Sequence, residues 1–249
     1  MTEVNINYDN IPKSAPEDSI LNALLEDYFS YKHFKSKTQR NAIVKILKRE
    51  SDVIVSLPKG HGRTTCFQLP IVISSQKVAI VVVGVSSRIE KQISRLNRTD
   101  VYAEHIHVGM SSEEYDDIKT TINDLSNIRS TLNSILYVTP DVVPTANFHN
   151  LLHHLNDRNS LGYIVVDLSY CENDWLTGLT EDRYALDLGA LRDEFMDTSW
   201  VVTTEKARPE FIDHIKSTLR LRTRRADIPR DAIPWFSMDI EADDVLLDR

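Results

Sequence analysis

The sequence predicts an α/β domain, a parallel doubly wound sheet flanked by helices. Three observations carry this. Six short runs rich in β-branched residues, Asp52–Leu57, Val78–Val83, Val101–Val108, Ile135–Val138, Tyr163–Asp167 and Trp200–Thr203, alternate with stretches of helical periodicity. Most of these runs are apolar at nearly every position, as strands covered on both faces must be. A glycine-rich turn, Pro58 to Thr65, follows the first run directly. It falls where right-handed crossovers gather the loops of such a sheet and where ligands bind.

The elements follow in order. Residues 1–17 are polar, hold Pro12 and Pro16, and read as a flexible N-terminal tail. Asp18 or Ser19 caps a first helix, in which Ile20, Leu21, Leu24, Leu25 and Tyr28 recur at helical spacing. A second helix is predicted from Ser36 to Arg49, with Ala42, Ile43, Ile46 and Leu47 on its apolar face. Further helices fit between the strands at Ser86–Leu96, Ser111–Asn123, near Phe148–Leu155, at Ala190–Phe195 and at Pro209–Leu219. The pattern fails from about Arg222, so the folded unit is expected to span residues 18–222 and residues 223–249 to form an acidic tail. Around Ile233, Trp235 and Phe236 that tail reads either as a docking peptide or as loose packing on its own domain.

Composition narrows the classes of function. With 41% hydrophobic residues the chain can bury a sizeable core. No run approaches the ~18 apolar residues of a membrane span, and the polar start lacks the apolar region of a secretory signal. The chain is therefore expected inside the cell and off the membrane. Two cysteines, Cys66 and Cys171, are too few for a disulfide framework or a Cys-rich zinc site and read as buried thiols. A net charge of −8 argues against a dispersed electrostatic hold on nucleic acid, which needs Lys and Arg on phosphates. The Arg-dense run Arg220, Arg222, Arg224, Arg225 and Arg230 reads as a solvated helix end or as a phosphate-binding strip. The pairs His105/His107 and His153/His154 lack nearby Cys or paired acids and make no convincing metal site.

The turn itself reads Pro58-Lys59-Gly60-His61-Gly62-Arg63-Thr64-Thr65. Glycines let backbone N–H groups face an anion, and the helix behind adds its positive end. Thr64 stands where a hydroxyl would hold Mg²⁺, whereas Arg63 stands where the phosphate-loop motif has Lys. The flanks extend the pattern. Phe29 to Lys35 reads Phe-Ser-Tyr-Lys-His-Phe-Lys, Gln39 and then Ser51-Asp52-Val53 follow, and the turn continues into Cys66-Phe67-Gln68-Leu69-Pro70. Downstream come Leu136 to Asp141 (Leu-Tyr-Val-Thr-Pro-Asp), Val165-Val166-Asp167 with Cys171 and Trp175, and Leu188-Gly189-Ala190-Leu191-Arg192. These segments resemble the RecQ family of DNA helicases over roughly residues 20 to 220, in family order and near family spacing. The resemblance implies a RecA-like P-loop NTPase fold, the first of the two lobes of such a motor.

It also implies a set of site residues and a set of losses. Phe34, Lys35 and Gln39 match the segment that contacts adenine in the family; packing at a helix entry and a solvated face are the structural alternatives. Lys59, Gly60, His61, Gly62, Arg63 and Thr64 match the phosphate loop, and Thr64 and Asp167 match the two Mg²⁺ contacts. Arg63 keeps the charge of the motif lysine but not its shape. Leu168 replaces the glutamate that activates water, a loss of general-base help that typically costs ~10²–10⁴ in rate. Ser169-Tyr170 replaces Ala-His. Cys171 and Trp175 keep their places in the loop that couples DNA to ATP, but its charged and aromatic members are gone. Val83-Gly84-Val85 replaces Ser-Pro-Leu, although Gln92 remains, and Thr203-Thr204-Glu205 replaces Thr-Ala-Thr. Glu205 is expected to repel phosphate. The roughly 27 residues after Arg222 fall short of the ~50 that a second lobe would need as a minimum.

Together these readings imply a protein that is not an enzyme, requires no cofactor and holds Mg·ATP weakly if it binds at all. It would act as an interaction module in a nuclear, DNA-associated complex of chromatin, repair or telomere proteins. Val83, Val85, Leu168, Tyr170, Trp235 and Phe236 would present an exposed apolar surface to a protein partner, with DNA contacted weakly or indirectly. The alternatives are a nucleotide-binding switch without hydrolysis and a residual DNA-dependent ATPase or helicase completed by another chain.

Overall fold

The computed structural model describes residues 18–74, 77–84, 86–96, 101–128, 133–168, 183–205 and 208–221. Six strands form one parallel sheet: β1 (Val53–Ser56), β2 (Val78–Val83), β3 (Tyr102–Ile106), β4 (Ser134–Val138), β5 (Leu161–Asp167) and β6 (Ser199–Thr204), in the order β1-β6-β5-β2-β4-β3. All six coincide with the predicted runs.

Alternate residues of each strand feed two separate cores, as the two-residue period of a strand demands. Val53, Val55, Ala79, Val81, Val83, Tyr137, Val165 and Val201 face the first. It is closed by α1 (Asp18–Phe29), α2 (Lys37–Lys48), α3 (Arg63–Val72) and α4 (Ser86–Leu96). Ile54, Ile80, Val82, Val138, Ile164, Val166, Trp200 and Val202 face the second, under α5 (Ser112–Ile128), α6 (Ala146–Asp157), α7 (Arg183–Glu194) and α8 (Pro209–Thr218). This is the doubly wound layering that continuous apolar strands require.

Local chemistry sets the helix ends. Ser36 caps α2 by accepting the Gln39 N–H at 3.1 Å, and Arg49 closes it in the left-handed region at φ 51°. Two helices run longer than the sequence suggested. α5 continues to Ile128, and α7 begins at Arg183 rather than Ala190. Gly189 made the second hard to see, because a glycine inside a helix counts against it. Its reason is contact: a Cβ on Gly189 would lie 2.5 Å from the Thr218 carbonyl oxygen, so only glycine lets α7 pack this closely on the end of α8.

A buried ion pair joins the sheet to α7. Arg192 donates from Nε to Asp52 Oδ2 at 2.9 Å and from a terminal nitrogen to the Met196 carbonyl at 3.0 Å, while Asp52 Oδ1 accepts the Trp200 N–H at 3.2 Å. Asp52 and Arg192 both lie in segments that match the RecQ pattern, and their role is structural.

Register brings the C-terminal strand ends together. Ser56 pairs with Thr204, and Asp167 pairs with both Thr203 and Val83. The turn after β1, Gly84 after β2, Leu168 after β5 and Glu205 after β6 therefore lie along one edge.

Candidate functional site

The turn after β1 is built as the sequence suggests. His61 N–H reaches the Pro58 carbonyl at 3.2 Å, with Gly60 at φ +86°, the geometry of a type II turn that needs glycine at its third position. Gly62, at φ +82°, precedes the first residue of α3. Two side chains from the upstream segment clamp this turn. Lys35 Nζ donates to the Gly60 carbonyl at 2.6 Å, and Gln39 Nε2 donates to the Gly62 carbonyl at 3.1 Å. Gln39 Oε1 in turn accepts the Lys35 N–H at 2.7 Å. A Cβ on Gly62 would meet Gln39 Nε2 at 2.1 Å. The backbone angle calls for glycine there, and a Cβ would also push the Gln39 amide off the Gly62 carbonyl.

A cavity of about 460 Å³ opens beside the turn, lined by Tyr31, Lys35, Lys59, Gly60, Gly62, Arg63, Thr64, Thr65, Arg88, Lys91, Gln92 and Arg95. Six of these carry positive charge and none is acidic. Sequence reasoning named the loop members and Gln92, but gave Tyr31 no role of its own and missed the α4 cations. Arg88, Lys91 and Arg95 are spaced i, i+3, i+7 within the predicted helix Ser86–Leu96, and that spacing was the available signal. Burial pulls the Arg88 guanidinium below its ordinary pKa; Asp167 and Glu205 oppose this and Arg63 adds to it, which places all four in one electrostatic neighbourhood.

Arg63 is buried and makes an ion pair through one terminal nitrogen with Glu205 Oε1. Its other terminal nitrogen is buried without a hydrogen-bond partner. The two residues that depart from the RecQ pattern in the phosphate loop and after β6 thus contact each other. Thr64 is half-buried at the mouth of the cavity, while Asp167 is buried and accepts the Thr203 hydroxyl at 3.0 Å. Both offer hard oxygens suited to Mg²⁺. Among the described residues no group of three His, Cys, Asp or Glu could hold a metal ion. His149 and His153 both pair with Glu194, at 3.3 and 2.7 Å.

Beneath α3, Gln68 Nε2 donates to the Tyr137 hydroxyl at 2.9 Å and to Gln92 Oε1 at 3.3 Å. Three pattern-matching segments meet in this buried knot. Burial pushes the Tyr137 hydroxyl and the Cys66 thiol up, so neither ionises near neutrality.

Other predicted site residues fall elsewhere. Phe34 packs against the first core, and His61 is exposed beside the Lys59 carbonyl. The expected exposed apolar surface is corrected: Val83 is 0% and Leu168 2% exposed. Val83 points into the first core and Leu168 into the second, because strand alternation carries each inward at the sheet edge. Val85, Tyr170, Trp235 and Phe236 lie outside the described residues, as do Cys171, Trp175 and the arginines after Arg220.

Comparison with known proteins decides the family. Residues 36–177 match the family described as DEAD/DEAH box helicase. The chain belongs to the DEAD/DEAH box helicases. Within them its relatives are RecQ-like. It is 30% identical over 213 residues to ATP-dependent DNA helicase Q5 of Rattus norvegicus, covering 85% of this chain and 21% of that protein. It is 28% identical over 201 residues to ATP-dependent DNA helicase hus2/rqh1 of Schizosaccharomyces pombe, covering 79% and 14%. The chain thus spans about a fifth or less of the length of these two relatives. In fold it is similar to DUF1998 helicase MrfA bound to DNA and AMPPNP, with a TM-score of 0.55 and 18% identity over 83% of this chain and 29% of that one. The chain is a RecQ-like helicase domain with a RecA-like sheet. Set against the RecQ pattern, the turn beside the cavity matches the phosphate loop, and Arg63 stands at the lysine position.

Proposed function

We propose that this RecQ-like lobe acts by binding and not by hydrolysis, as an interaction module of a nuclear, DNA-associated complex. The observation that carries this is Leu168. It stands next to Asp167, where the RecQ pattern has its water-activating acid. Its side chain is in the second core, and its backbone N–H is held by the Thr203 carbonyl at 2.9 Å. A hydrocarbon there accepts no proton, which costs ~10²–10⁴ in rate. The Arg63–Glu205 pair adds to this by tying up the guanidinium that stands in for the phosphate-gripping lysine.

The test is phosphate release from Mg·ATP by the purified chain, with and without single-stranded DNA. Background release in both supports the reading, and DNA-stimulated turnover overturns it. Its second half, a stable protein partner, is tested by affinity capture followed by reconstitution from purified components. If no complex can be rebuilt, the interaction role fails.

A second reading is favoured by the cationic cavity together with Thr64 and Asp167: a nucleotide switch that binds Mg·ATP without turning it over. Binding raises the melting temperature by mass action, so the absence of any shift at millimolar Mg·ATP counts against it.

A further inference from the structure

We propose that the cavity beside the phosphate loop is an oligophosphate site read by charge rather than by base, in which the ligand competes with the Glu205 carboxylate for Arg63. The proposal rests on the reading of this cavity as phosphate-binding. It does not depend on whether the chain hydrolyses anything.

The first support is the state of Arg63. Its guanidinium is buried, yet only one terminal nitrogen is matched, by Glu205 Oε1, and the other has no partner. An orphaned buried donor is costly. Two oxygens of one phosphate fit the fork of a guanidinium better than a single carboxylate oxygen does. Glu205 has 32% of its side chain exposed, so its carboxylate can swing to water when a stronger anion arrives.

The second support is the row of cations. Arg88, Lys91 and Arg95 form one stripe along α4, about 10 Å long at the helical rise, and Lys59 faces the same cavity from the loop. Among the described residues Lys59, Lys91 and Arg95 pair with no carboxylate. In a chain of net charge −8, these three form a local concentration of positive charge that no described carboxylate pairs. A chain of linked phosphates supplies what it lacks.

The third support concerns the base. Gln39 has its oxygen on the Lys35 N–H and its nitrogen on the Gly62 carbonyl, and the Lys35 ammonium is on Gly60. The side chains that would read an adenine edge are engaged inside the protein. Affinity should therefore follow the number of linked phosphates, whether free or attached to a nucleoside.

Calorimetric titration of the full chain with inorganic tripolyphosphate, ATP, AMP and an oligothymidylate tests this. Tripolyphosphate and ATP should bind within about threefold of each other, with AMP weaker by about tenfold or more. Glu205→Gln should tighten tripolyphosphate by about tenfold, the worth of one charged hydrogen bond. The double change Lys91→Glu with Arg95→Glu should weaken it by at least as much, with melting curves confirming that both variants fold. ATP binding more than about tenfold tighter than tripolyphosphate would show a base-read site and overturn the proposal. So would an unchanged affinity in Glu205→Gln, no tripolyphosphate binding by either form, or displacement of tripolyphosphate by oligothymidylate. Turnover of ATP, by contrast, would sink the non-hydrolytic reading and leave this one standing.

Discussion

Two ion pairs tie distant parts of this lobe together, and they are built to opposite specifications. Asp52–Arg192 joins the start of β1 to α7, with side chains 0% and 1% exposed and both ends anchored to backbone as well. Arg63–Glu205 joins the phosphate loop to the end of β6, with side chains 10% and 32% exposed and one guanidinium nitrogen unmatched. The first is a closed network, of the kind that orders a core. The second is half satisfied and opens onto a cationic cavity. A buried pair that saturates its partners belongs to the architecture, whereas the one that leaves a donor wanting is where the proposed anion would bind.

Breaking the closed pair should have the largest effect. Arg192→Ala leaves Asp52 charged and buried, at a cost of ~3–5 kcal/mol, measured as a fall in the denaturation midpoint or as failure to fold. Replacing Asp52 and Arg192 together by apolar residues of similar volume should recover much of that loss. Gly62→Ala comes next. It forces a Cβ into the left-handed region, worth ~1–3 kcal/mol, and against Gln39 Nε2. Both stability and anion binding should drop, whereas Gly60→Ala meets nothing within 4 Å and suffers from backbone angle alone. Glu205→Gln should shift stability by no more than ~1 kcal/mol, as partly exposed pairs do. If it instead destabilises as much as Arg192→Ala, the contrast between the two pairs is wrong.

The smallest effect concerns acid. Burial lowers the pKa of His105, with His107 adding and Glu90, Glu104 and Asp141 opposing; burial, Arg158 and Lys119 do the same to His154. A folded-state pKa below the unfolded value of 6.5 means that stability is retained above that pH and lost as pH falls through the folded pKa. Melting at pH 7 and at about pH 5.5 should show a modest fall, and His105→Gln should shrink it. Neither histidine touches either ion pair, so Arg192→Ala and Glu205→Gln should leave this slope unchanged.

How much of this was legible depended on whether a signal was local. The six strands announced themselves through β-branched runs, and the loop through Gly60 and Gly62 at the right offset. Asp52 and Arg192 could be singled out by pattern, but their partnership could not, because 140 residues separate them. The same holds for Arg63 and Glu205, 142 apart: read singly, one weakened the phosphate grip and the other repelled phosphate, and only the fold shows each answering the other. Val83 and Leu168 misled for the opposite reason. Their apolar character suggests a surface in place of polar motifs, whereas the neighbouring runs Val78–Val82 and Tyr163–Val166 mark a strand end buried on both faces.

Gln39 gives the turn at Gly60–Gly62 a mechanical consequence. Its amide grips the loop carbonyl while its N–H is held by the Ser36 cap and its oxygen by Lys35. The tip of α2 and the loop are thereby welded into one lever. A shift of the loop would therefore have to break these bonds or carry the tip of α2 with it.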